Sequence, residues 1–182
     1  VSVTPARALL LTGLPGNGKT TVLRRVAERL AGRRLRGFLT DEVRVGRERT
    51  GFRIETLDGR TATLARVGLE TRHRVGRYGV DVTALDHLVA SSLAAEPDTI
   101  FLVDEVGTME CLSARFVAAM RALLDAGVPL VATVALRGGG FIAELKARPD
   151  VTLWTVTPEN RDDLPERVAT WVTNRREIPS NG

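Results

Sequence analysis

Thr12-Gly13-Leu14-Pro15-Gly16-Asn17-Gly18-Lys19-Thr20 is the stretch whose reading decides the fold. From Gly13 it matches GxxxxGK[ST] in full. The glycines let a loop wrap an anion with its backbone N–H groups turned inward, which a Cβ would obstruct. Upstream, Ala6 to Thr12 is a short apolar run that suits a strand buried on both faces. Downstream, Val22, Leu23, Val26, Ala27 and Leu30 recur at helical spacing up to Gly32. Strand, glycine loop and helix in this order predict a phosphate-binding loop that aims a helix N-terminus at its ligand.

This P-loop assigns Gly13, Leu14, Pro15, Gly16, Asn17, Gly18, Lys19, Thr20 and Thr21 to nucleotide phosphates. Lys19 supplies a mobile positive charge for the β and γ phosphates, and Thr20 a hydroxyl for Mg²⁺. A second half of the site is expected where Ile100-Phe101-Leu102-Val103 ends in Asp104-Glu105. Ligands of open parallel sheets bind at the carboxyl ends of strands, and neither acid suits an apolar core. Asp104 is therefore a candidate metal-holding residue. Glu105, one residue on, is a candidate base or water-orienting group, a role worth about 10²- to 10⁴-fold in rate. Glu110 fits the start of a helix better than it fits a ligand.

Between these motifs, Arg36 to Arg66 alternates in strand fashion and predicts a three-stranded antiparallel meander. Asp58-Gly59 reads as its tight two-residue turn and Val45 to Arg49 as a looser one. Val67 to Val82 shows no period. Afterwards helix and strand patterns alternate: a helix around Leu85 to Leu93, a strand at Thr99 to Val103 and a helix from Leu112 to Leu124. Leu130 to Ala135 reads as a strand, Phe141 to Leu145 as a short helix, Val151 to Val156 as a strand and Leu164 to Trp171 as a helix. The expected architecture is α/β, a mostly parallel sheet flanked by helices with an antiparallel hairpin insertion. Residues 1–174 are expected to form one domain and 175–182 a flexible tail.

The net charge of +4 comes from 24 arginines and two lysines, Lys19 and Lys146, against 22 acids. Arginine clusters at Arg24 to Arg36, Arg44 to Arg53 and Arg72 to Arg77 leave nucleic-acid binding open. Interleaved acids favour solvated surface instead. One cysteine, Cys111, and two histidines, His73 and His87, exclude an internal disulfide and a zinc cluster. The absence of a leader or a long apolar run points to the cytoplasm, with no membrane role.

Asp104-Glu105-Val106-Gly107-Thr108-Met109-Glu110 resembles the DE[IV]GxME signature of a small P-loop nucleoside-triphosphatase family of thermophiles and vertebrates. Gly37 to Arg44, Gly51 to Leu57, Val75-Gly76-Arg77-Tyr78 and Asn160-Arg161-Asp162 are similar to it as well, in order along nearly the whole chain. The resemblance implies a RecA-like fold, usually a monomer. It also implies slow, Mg²⁺-dependent hydrolysis of ATP, GTP, CTP and UTP to diphosphate and phosphate. Thr108, where the signature has lysine, and Gly138-Gly139-Gly140 depart from the pattern. Arg44, Arg77, Arg137 and Arg161 compete to neutralise the transferring phosphoryl group, and Arg161 is taken as the catalytic candidate. Tyr78 is open to base stacking or to packing. Two other functions share the same loop: a nucleotide or polynucleotide kinase, and a nucleotide-dependent RNA-binding switch.

Overall fold

A computed structural model describes residues 8–175. The elements run β1 (Ala8–Thr12), α1 (Lys19–Arg29), β2 (Leu35–Val45), β3 (Glu48–Thr56), β4 (Thr61–Val67), β5 (Arg74–Val75), β6 (Tyr78–Val80) and α2 (Val82–Ser92). They continue with β7 (Ile100–Val106), α3 (Ala114–Ala126), β8 (Leu130–Val134), α4 (Phe141–Ala147), β9 (Val151–Thr155) and α5 (Leu164–Arg175). Arg175, expected in the tail, closes α5, while 176–182 lie outside the described residues, as do Ala6 and Arg7 of the expected first strand.

The described strands form one nine-stranded sheet in the order β5-β6-β4-β3-β2-β7-β8-β1-β9. β1 lies parallel to β8 and β9, and β7 parallel to β8 and β2. Alternation along β1 shows why its run is apolar throughout. Ala8 and Leu10 belong to the core beneath α2, α3 and α4, whereas Leu9 and Leu11 belong to the core beneath α1 and α5. Helices thus cover both faces of the parallel part, the α/β architecture that the repeating pattern implied.

The antiparallel part is an extension of this sheet. Leu35 to Phe38 of β2 pair parallel with β7, and Phe38 to Val45 of the same strand pair antiparallel with β3. The aperiodic stretch after Val67 holds β5 and β6, which extend the wing by pairing with each other and with β4. Strands of two and three residues are too short to show a period.

The two expected turns are exchanged. Val45 pairs with Glu48, so Gly46-Arg47 makes the tight turn, with Gly46 at φ 60. The loop at 57–60 is the longer one. Thr56 N donates to Arg60 O (2.8 Å), Arg60 N donates to Thr56 Oγ1 (2.9 Å), and Thr56 Oγ1 donates to Asp58 Oδ1. Side-chain bonds to the backbone outweigh the turn preference of Asp-Gly here. Among the described residues no helix is long and apolar enough to cross a membrane.

Candidate active site

β1 hands the chain directly to the glycine loop, which is docked on the segment after β9. Gly13 has φ +154, and a Cβ there would lie 2.6 Å from the Val156 carbonyl oxygen. Asn17 Nδ2 donates to that same oxygen at 2.9 Å. Gly18 caps α1 with no side-chain hydrogen bond to the first turn, which also carries no acid. The first N–H groups of α1 therefore remain available to an anion. Lys19 Nζ folds back onto the carbonyls of Gly13 (3.1 Å) and Leu14 (3.4 Å).

The carboxylates arrive on a bulged strand. Val103 pairs with Ala132 and Val106 with Val134, so β7 takes three steps where β8 takes two. The extra residue falls at Asp104 and Glu105, which are joined by a cis peptide bond. A bulge re-aims side chains at a strand end. Asp104, 2% exposed, accepts from Thr20 Oγ1 (2.7 Å), Thr133 Oγ1 (2.5 Å) and Thr40 N (3.3 Å), while Thr40 Oγ1 donates to its carbonyl. Burial raises the proton affinity of Asp104, and the hydroxyl and N–H donors oppose that rise. Burial likewise raises Glu105, with the Lys19 charge pulling it back down.

Glu110, 5% exposed, lies in the short 3-10 turn after β7 and accepts from Gly107 N at 3.1 Å. A Cβ on Gly107 would sit 2.9 Å from oxygens of both Glu105 and Glu110, so the two carboxyls close in on this glycine from either side. Burial pushes Glu110 up to about 8. As pH rises from the ordinary 4.5 towards about 8, the unfolded chain loses a proton that the native chain keeps, so native stability falls through that window. Glu110→Gln should reduce the stability difference between pH 5 and pH 8 by on the order of a few kcal/mol, read by urea unfolding at both pH values. An unchanged difference would show that Glu110 is already ionised in the native state.

Pro15, Gly16, Lys19, Thr20, Asp104 and Glu105 line one cavity of about 670 Å³. The arginines are distributed differently. Arg44 lines this cavity but is bound to Glu42 at 3.0 Å, and Arg77 is paired with Glu48 at 2.8 Å. Arg137 is exposed after β8. Arg161 stands on the other side of the loop, with Cδ 3.6 Å from the position a Cβ on Gly18 would take. Tyr78, 7% exposed, packs edge-on against Phe52 at 5.2 Å and accepts from Arg49 Nε at 3.1 Å, the packing role of the two left open by the sequence.

A family model described as NTPase matches residues 8–169. The chain belongs to the NTPase family. It is 36% identical over 158 residues to the nucleoside-triphosphatase THEP1 of Thermotoga maritima, covering 86% of this chain and 90% of that protein. It is also 36% identical over 188 residues to the human cancer-related nucleoside-triphosphatase, covering 94% and 99%. The crystal structure of THEP1 from Aquifex aeolicus superposes with a TM-score of 0.83 at 34% identity, covering 91% of this chain and 98% of that one. The P-loop α/β fold read from the sequence is the fold of this NTPase.

Within the candidate site, Thr20 Oγ1 and Asp104 Oδ2 form a pair of hard oxygen donors 2.7 Å apart. Among the described residues no three His, Cys, Asp or Glu side chains gather around a metal position. One carboxylate and one hydroxyl beside the glycine loop fit the preference of Mg²⁺ for a few hard oxygen donors. Sequence reading missed Thr40 and Thr133, which hold Asp104 from the neighbouring strands. A threonine amid the apolar run of β8 was the one available signal for Thr133. Arg49, which also lines the cavity, carried no signal at all.

Proposed function

We propose that this NTPase hydrolyses nucleoside triphosphates to diphosphate and phosphate in a Mg²⁺-dependent reaction with broad base tolerance. The observation that carries the reading is the meeting of the Thr20–Asp104 pair, Lys19 and Glu105 in one cavity. The names of the relatives, nucleoside-triphosphatases in bacteria and human, support the same reaction.

Residues 13–18 and the open N-terminus of α1 receive the phosphate chain, and Lys19 exchanges its bonds to Gly13 O and Leu14 O for β and γ phosphate oxygens. Thr20 and Asp104 would hold Mg²⁺, which when bound neutralises charge on the β and γ oxygens. Glu105 accepts the proton of the attacking water, aligns that water with the γ phosphorus and keeps it opposite the leaving oxygen. Burial raises the proton affinity of Glu105, as suits a base, and the nearby Lys19 charge opposes that rise. Many of the arginines are taken up in surface ion pairs such as Arg24–Asp41, Arg36–Glu96, Arg60–Asp58 and Arg121–Glu144, which favours solvated surface over a nucleic-acid face.

Phosphate release from ATP, GTP, CTP and UTP, with and without Mg²⁺, tests the reading. Comparable release from all four, lost on chelation, with diphosphate plus phosphate as products, is the expected result. Phosphate appearing only when a hydroxyl-bearing acceptor is supplied, and then on that acceptor, would replace hydrolysis with transfer.

A further inference from the structure

Sheet order gives the bound nucleotide a direction. Asp104 and Glu105 end β7, on one side of β1 and its loop, and β9 lies on the other side. A phosphate chain laid along residues 13–20 with its terminal phosphate at Glu105 leaves its nucleoside over the β9 side. A second cleft of about 220 Å³ is found there, lined by Gly18, Thr21, Val22, Arg25, Arg161 and Asp162.

The wall of this cleft is held firmly. Asn160 Oδ1 accepts from Thr157 N (2.9 Å), Asn160 Nδ2 donates to Thr155 O (2.8 Å) and Arg161 N donates to Thr157 O (3.1 Å). The bond from Asn17 to Val156 O ties the same segment to the phosphate loop. Arg161 thus has its backbone fixed near Gly18, and its Cδ lies within van der Waals reach of the position a Cβ on Gly18 would take. At the foot of the cleft Arg25 Nη1 and Asp162 Oδ1 pair at 3.1 Å. The Arg161 guanidinium, by contrast, takes part in no hydrogen bond, ion pair or ring contact among the described residues.

From this arrangement we infer that the cleft is the nucleobase subsite and that Arg161 lays its guanidinium plane on the face of the base. The inference rests on the triphosphatase reading and deepens it. The two charged groups of the cleft, Arg25 and Asp162, pair with each other at the surface with side chains 45% and 76% exposed, so the cleft holds no buried charge to read a base edge. Every base has a π face, so a guanidinium plane stacked on it accepts all four and favours the larger purine face only modestly. Strong rejection of a wrong base requires buried polar partners that it would leave unpaired. The cleft thereby gives a physical reason for broad base tolerance, and it assigns Arg161 to binding rather than to the transferring phosphoryl group.

Arg161→Ala and Arg161→Lys, at an exposed position whose side chain supports nothing else, are compared with the unaltered enzyme on ATP, GTP, CTP and UTP. Calorimetric binding of Mg²⁺-ADP and Mg²⁺-CDP runs alongside. The expected result for alanine is a KM roughly tenfold higher for ATP and GTP, a smaller rise for CTP and UTP, and an unchanged kcat. Lysine should behave as alanine does, because an ammonium has no plane. An equal rise for all four nucleotides, rescue by lysine, a fall in kcat at saturation, or no change would each overturn the assignment. If the unaltered enzyme hydrolyses none of the four, the triphosphatase reading fails, and the diphosphate binding still decides the subsite.

Discussion

Lys19→Ala is expected to lower kcat/KM for nucleoside triphosphates by about 10³-fold or more, equivalent to roughly 4 kcal/mol of transition-state stabilisation. Two losses combine in this variant. The phosphate chain loses the mobile charge that the P-loop directs at its β and γ oxygens. Glu105 also loses the positive neighbour that offsets its burial, so its proton affinity climbs further and less of it is ionised at neutral pH. The rising limb of the pH–rate profile for the residual activity should therefore move to higher pH. Because Lys19 is only partly buried and its bonds go to loop carbonyls, thermal unfolding should change little. Activity within a few-fold of the unaltered enzyme, or an unmoved limb, would remove Lys19 from the site.

Glu105→Gln separates binding from chemistry. The amide keeps the shape of the side chain between Lys19 and Gly107 but cannot take a proton from water. The expected outcome is a kcat about 10²- to 10⁴-fold lower, with Mg²⁺-nucleotide affinity retained. The acid limb of the kcat profile should also flatten, since the group whose ionisation it follows is gone. Full activity in this variant would sink the proposed role and shift attention to Glu110 across Gly107, whose carboxyl lines the same cavity. Stopped turnover with lost nucleotide affinity would instead make Glu105 a binding residue.

Much of the fold is legible because its signals are local. The helical stripe after Thr20, the buried β1, β7 and β8, and the Gly127 that closes α3 can each be read within a dozen residues. The exchanged turns show the limit. Asp58-Gly59 has the composition of a tight turn, yet the Thr56 hydroxyl and the Arg60 backbone hold a longer loop, a competition that residue identity alone does not rank. The same limit separated the four arginine candidates. Arg44, Arg77 and Arg161 look alike in a sequence, and only their partners distinguish an ion-paired surface group from an unpaired one beside Gly18.

The sequence by itself determined the glycine loop between strand and helix and the two acids after Val103, since each is a contiguous string read from its letters and its flanking strand. Only the tertiary structure decided how they meet. The Thr20 hydroxyl reaches Asp104 across 84 residues, and Thr133 reaches it across 29. Those contacts depend on β8 lying between β1 and β7 and on a one-residue bulge at Asp104 and Glu105. Strand order and bulges are set by packing over the whole sheet, which leaves no periodic trace in the segments it joins.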